Sequence, residues 1–199
     1  SGMADRYKFE FENYDAFLRL LDGGRGAVII GAHVGCWGTG AGFFGDYARR
    51  MHLVMYDAEY RQIKSVMEKH CGQEGYKVIA VNEGGIESIL RIKEVLDRRE
   101  YVCFQGDRFV EGGATAPVTF MGRKALFPAG PFVVAEKFRA PAVFYYAMRE
   151  RGRRYRFIFD IPDEDLLPDD IDESPEEVEE MLLQEGVTID DLRRALTGG

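Results

Sequence analysis

Hydrophobic positions recur along this chain in two periods. From Tyr14 to Leu21 the residues Phe17, Leu18, Leu20 and Leu21 fall at helical spacing until Gly23-Gly24 stops the run, which predicts a short amphipathic helix. Ala27-Val28-Ile29-Ile30-Gly31-Ala32 is instead continuously apolar and rich in β-branched residues, the signature of a strand covered on both faces. Leu53 to Tyr56, Val78 to Val81 and Tyr101 to Phe104 repeat that signature. Helical segments are predicted from the glycine-rich stretch after the first strand to Arg50, over Glu59 to Cys71 and over Ile86 to Arg98. Strands that alternate with helices predict a parallel sheet in an α/β domain.

The pattern changes after residue 117. Val118 to Met121 reads as a strand, a short apolar segment ends at Pro128-Ala129-Gly130-Pro131, and a helix follows to Phe138. Val143 to Met148 and Tyr155 to Ile161 are two strands joined by Glu150-Arg151-Gly152-Arg153, a link short enough to predict an antiparallel hairpin. Ser174-Pro175-Glu176-Glu177 is a capping-box start, and Thr188 caps a last helix. The expected fold is therefore α/β: a mostly parallel central sheet flanked by helices, with a C-terminal antiparallel hairpin and peripheral terminal helices.

Composition sharpens the domain plan. The chain has 199 residues, 46% of them hydrophobic, enough for one sizeable core. Its net charge of -8 is unevenly spread. Residues 160–180 hold twelve Asp and Glu and no Lys or Arg, so the remainder has 22 acids against 26 bases. A mildly basic body over residues 4–162 followed by an acidic linker and helical appendage over 163–199 is expected; Ser1-Gly2, ahead of Met3, is left out of the fold reading. No apolar run approaches the roughly 18 residues that a spanning helix needs, and no signal-peptide pattern is present. Cys36, Cys71 and Cys103 are odd in number and lack CxxC spacing, which argues against a disulfide framework and a zinc site and for a reducing cytosol.

Chemistry is expected beyond the carboxyl ends of the strands, where open α/β sheets build their sites. His33 follows the first strand there, and Asp107-Arg108 follow the fourth, so the three are expected to converge. A histidine acting as general base needs a partner that orients it. Cys36 lacks the glycine two residues before and after that a nucleophile elbow requires, and reads as a small buried hydrophobe. Gly40-Ala41-Gly42-Phe43-Phe44-Gly45 matches the dinucleotide fingerprint, with Asp57 as a ribose-binding acid, but His33 to Thr39 separate it from the strand end where its first glycine belongs. An NAD(P)-binding enzyme is accordingly the weaker reading. Arg149, Arg151, Arg153, Arg154 and Arg156, opposed only by Glu150, form a basic patch suited to an acidic carrier protein or anionic headgroups. No nucleic-acid-binding motif accompanies it.

Four blocks in order carry a family resemblance: Gly31-Ala32-His33-Val34-Gly35-Cys36-Trp37, Gly106-Asp107-Arg108, Phe120-Met121-Gly122-Arg123 running to Phe127-Pro128-Ala129-Gly130-Pro131-Phe132, and Ala140-Pro141-Ala142-Val143. Over roughly residues 25–162 the chain resembles the lysophospholipid acyltransferase superfamily, and within it the lipid A late acyltransferases. The resemblance implies O-acyl transfer from an acyl thioester, acyl carrier protein or acyl-CoA, to a hydroxyl of a lipid acceptor, with no tightly bound cofactor and no metal. It implies a peripheral position at the cytoplasmic face of the cell membrane. His33 matches the histidine of the family's dyad, and Gly38 stands where the family has Asp or Glu. By implication Trp37, Phe120, Gly122, Arg123, Phe127, Pro128, Gly130 and Pro131 bind substrate, and Pro131 and Gly130 open a helix whose N-H groups suit an anion. With glycine at position 38, Asp107 is the candidate to orient His33; Asp46 is about 20 Å further along at 1.5 Å per helical residue. Arg108 is the candidate to stabilise an oxyanion. Gly38 also leaves open a catalytically silent relative that binds an acyl chain or lipid.

Overall fold

A computed structural model of the chain describes residues 7–35, 44–56, 77–81, 86–109 and 114–162. Strands β1 (Lys8–Glu12), β2 (Ala27–Gly35), β3 (Met51–Tyr56), β4 (Lys77–Val81), β5 (Tyr101–Gln105), β8 (Ala142–Arg149) and β9 (Arg154–Asp160) form one sheet in the order β1-β9-β8-β2-β5-β3-β4. Every pairing is parallel except β8 with β9. Strands β6 (Thr115–Phe120) and β7 (Arg123–Pro128) form a separate antiparallel ribbon. Helices α1 (Tyr14–Asp22), α2 (Ile86–Asp97) and α3 (Gly130–Lys137) complete the described elements with a 3-10 helix over Gly45–Arg50. The α/β class and the C-terminal hairpin are as the residue pattern predicts.

Alternation along the strands sorts the core into two layers. From β2, Val28 and Ile30 face α2 and α3 and pack with Val102, Phe104, Ile92 and Val134; Ala27 and Ile29 face α1 and pack with Tyr101, Val143, Phe157 and Phe159. On the α1 side aromatics dominate: Phe17 stacks on Phe159 with centroids 4.3 Å apart, and the buried Tyr101 hydroxyl donates to the Leu21 carbonyl at 2.8 Å. That bond ties the last turn of α1 to the start of β5.

Four expectations change. Lys8-Phe9-Glu10-Phe11-Glu12 alternates with period two and forms β1, pairing with β9, a strand the reading above omits. The helix expected up to Arg50 is a 3-10 helix in its described part, since Gly45–Arg50 is only six residues long. Met121 closes the β6–β7 turn instead of ending a strand: Met121 (φ 50) and Gly122 (φ 76) take the paired positive φ of a tight hairpin turn. His33 lies inside β2, because that strand runs to Gly35. The predicted helix over 59–71, most of the fingerprint at 40–45, Asp57, Cys36, Cys71, the acidic segment from 163 and the terminal helices lie outside the described residues.

At the amino ends of β3, β4 and β5 sits a polar network. His52 Nε2 donates to Glu100 at 2.6 Å, and Lys77 and Arg98 approach the same carboxylate at 3.5 Å. Burial lowers the His52 pKa and outweighs the pull of Glu100. Burial pushes Glu100 up, but the His52 hydrogen bond together with Lys77, His52 and Arg98 charge holds it below the usual carboxylate range. Both shifts are downward, so in each case the unfolded chain binds the proton more readily, and stability falls with pH. Loss begins near 6.5, the unfolded value of His52, and deepens below 4.5, that of Glu100. Thermal unfolding between pH 7 and 5 should show a steeper fall in Tm for the parent than for His52→Gln, and equal slopes would remove His52 from the acid response.

Candidate active site

The site is set by how β2 runs between β5 and β8. Through Gly31 the three strands are in step, Gly31 opposing Gln105 on β5 and Tyr145 on β8. Beyond it the β2–β8 register shifts, and Gly35 opposes Ala147. Four steps on β2 therefore answer two on β8, and Ala32-His33-Val34 lie in the irregular stretch between. Bulges of this kind re-aim side chains at sheet ends. Gly35 makes this one feasible, because it adopts φ +69 and a Cβ there would lie 2.0 Å from the Ala147 carbonyl oxygen.

Asp107 arrives from the neighbouring strand. At the end of β5 the Gly106 N-H donates to the Gly31 carbonyl at 2.8 Å, and a Cβ on Gly106 would lie 2.6 Å from Ile30 Cγ2. The absence of a side chain lets the backbone close against β2 and brings the next residue over the strand end. His33 Nδ1 and Asp107 Oδ1 lie 3.0 Å apart, with the side chains 19% and 28% exposed. The pair is thus screened from bulk water but open on one side. An imidazole held this way by a carboxylate has its tautomer fixed with Nδ1-H toward the acid, leaving Nε2 to exchange a proton. Arg108, exposed, is the next residue on the same loop.

Bacterial lipid A biosynthesis acyltransferases match the chain over residues 4–185. The chain belongs to this family. No curated protein matches it closely.

In this lipid A acyltransferase family member the remaining candidate residues divide by position. Phe120, Gly122 and Arg123 sit at the tip of the β6–β7 ribbon, Phe127 and Pro128 at its base, and Gly130 and Pro131 in the first turn of α3. Because β8 follows α3 and runs parallel to β2, that first turn lies at the same carboxyl edge as His33. Trp37 and Gly38 lie outside the described residues. A groove lined by Arg19, Arg25, Pro141 and Pro162 opens at the opposite, amino edge, away from the dyad.

The arginine patch is less basic than its sequence suggests. Arg156 pairs with Glu150 and with Glu12, each at 3.0 Å, and Arg154 approaches Glu150 at 3.8 Å. Glu12 is the acid that sequence distance conceals, delivered by the parallel β1–β9 pairing. Arg149, Arg151 and Arg153 are exposed and make no ion pair with a described residue.

The Cys103 thiol is enclosed on the α1 side of the sheet, and burial pushes its pKa up to about 12, the opposite of an activated nucleophile. Gly35 and Gly106, which sequence reasoning quoted only as parts of the blocks, are the residues that shape the site; their signal is a glycine within two positions of each polar residue.

Gly35→Ala forces a side chain into backbone at a positive φ. It should lower unfolding free energy by more than about 2 kcal/mol in denaturant titration, and a cost under 0.5 kcal/mol would show that the bulge accommodates a Cβ.

Proposed function

We propose that the chain is an O-acyltransferase that moves a fatty acyl group from an acyl thioester, on acyl carrier protein or coenzyme A, to a hydroxyl of a lipid acceptor. The observation that carries this reading is the 3.0 Å His33–Asp107 contact at the carboxyl edge of β2 and β5, in a chain of this family. His33 Nε2 takes the acceptor's proton while the hydroxyl oxygen forms a bond to the thioester carbonyl carbon. The carbonyl oxygen gathers negative charge, which Arg108 is positioned along the chain to stabilise. Collapse breaks the C–S bond, and the imidazolium returns its proton to the departing thiolate. Ester and free thiol leave, and His33 is neutral again. Asp107 does the orienting work that the family assigns to the acid five positions after the histidine, where this chain has Gly38.

The exposed Arg149, Arg151 and Arg153 suit the acidic surface of a carrier protein, and Phe127, Pro128 and the first turn of α3 are the proposed contacts for the acyl chain and an anion. Among the described residues no helix is long and apolar enough to cross a membrane, which fits a peripheral placement on the cytoplasmic face. Gly38 favours one second reading, a silent relative that binds lipid without transferring it.

An acyl-thioester assay with pooled lysolipids and hydroxy-lipids separates the two. His33→Ala should abolish turnover, and Asp107→Asn should lower kcat by about 10²–10⁴, with the double variant no worse than His33→Ala because the two act as a unit. Additive losses would reduce Asp107 to a loop support. No turnover in the parent, together with turnover in Gly38→Glu, would establish the silent reading.

A further inference from the structure

The β6–β7 ribbon leaves the body of the protein from the same edge as the dyad, starting eight residues after Asp107 and returning at Ala129, whose N-H donates to the Ala114 carbonyl at 2.9 Å. Among the described residues it pairs with no other strand. Six residues on each arm reach about 20 Å at roughly 3.3 Å per residue. Its cross-strand pairs sort the side chains into two faces. Ala116, Val118, Phe120, Arg123, Ala125 and Phe127 share one, with Phe120 and Phe127 in edge-to-face contact at 5.7 Å. Apart from Arg123 beside the tip that face is apolar, yet Val118 is 41% and Phe120 54% exposed, and Met121 at the tip is 88% exposed. A two-stranded ribbon with such a face bare is marginally stable in water, so a covering surface is called for.

Charge says what covers it. The chain as a whole carries -8, but residues 112–135 contain no Asp or Glu, and the only charged side chains in that stretch are Arg123 and Lys124, directly behind the apolar tip. Two cations behind a protruding apolar wedge match an anionic bilayer interface, where apolar groups sink about 5–10 Å and Lys or Arg meet the headgroups. A folded partner would need a deep socket for a convex tip, whereas a bilayer opens around it. Val34 and Phe109, 43% and 41% exposed, flank His33 and Asp107 and continue apolar surface toward the dyad.

We propose that the β6–β7 ribbon is a membrane-docking wedge that inserts Phe120 and Met121 into an anionic lipid surface and turns the His33–Asp107 edge toward it. The proposal depends on the acyltransfer reading only in taking the acceptor to be a lipid. Docking itself is read without turnover, by co-sedimentation of the full chain with vesicles of phosphatidylcholine alone or mixed with phosphatidylglycerol. The parent should bind the mixed vesicles more tightly. Met121→Asp, at a positive φ that Asp tolerates, should weaken partitioning about tenfold or more on both compositions, the effect of withdrawing one Met-sized side chain from the interface. Lys124→Glu should weaken binding to mixed vesicles by about tenfold and leave neutral ones unchanged. Leu90→Ser, on the exposed face of α2, should change neither. His33→Ala should bind as the parent does, so a failed acyltransfer reading leaves the docking result standing, and the reverse. Met121→Asp with unaltered partitioning would overturn the wedge. So would a parent chain that ignores both vesicles, or a Met121→Asp that only dissolves a dimer seen by light scattering.

Discussion

Past Gly31, β2 cannot stay in register with β8, and the candidate chemistry depends on that mismatch. An even ladder would place His33 by simple alternation on one face of the sheet. The bulge instead spends extra residues on β2, turns His33 out of the ladder, and rejoins at Gly35, whose positive φ and missing Cβ leave room for the Ala147 carbonyl. Gly106 supplies the matching allowance on β5, so that the two strand ends close together and Asp107 meets the imidazole. Two glycines, chosen for what their side chains would strike, set a distance between two polar groups.

The sheet separates its two ends by chemistry. At the amino edge, the buried His52 and the partly buried Glu100 are hydrogen-bonded and the exposed Lys77 and Arg98 approach the same carboxylate, an arrangement that links β3, β4 and β5. At the carboxyl edge, the His33–Asp107 pair is partly exposed and neighboured by the exposed Val34 and Phe109. The first histidine–carboxylate pair is braced by further charges; the second is more open to water. Between them lie the two apolar layers, aromatic on the α1 side and mainly aliphatic on the α2 and α3 side, which keep the ends rigid with respect to each other.

Charge is likewise distributed by position. Acids concentrate after residue 160 and on β1, where Glu12 neutralises an arginine of β9, while the carboxyl-edge ribbon has none. Net charge alone predicts an acidic protein that avoids anionic surfaces. Local charge, set by which strands the fold makes neighbours, decides what each surface can meet.

The sequence by itself determined the class of fold, because hydrophobic period depends on local geometry: continuous apolar runs separated by helical stripes form a buried parallel sheet. It located Asp107 and Arg108 just past a strand, since strand ends are visible as the ends of apolar runs, whereas the strand expected to stop before His33 runs on to Gly35. It also carried the ordered blocks by which the family is recognised. β1 was not read from Lys8 to Glu12, because its alternating run is short and its partner, β9, lies more than 140 residues away. Tertiary structure alone decided that His33 sits within a bulge, that Asp107 reaches its Nδ1, that Glu12 quenches part of the arginine patch, and that β6–β7 pairs with no other described strand and leaves Val118 and Phe120 exposed. Each of these is a contact between residues far apart in the chain, fixed by strand register and glycine clearance, and no local pattern encodes register.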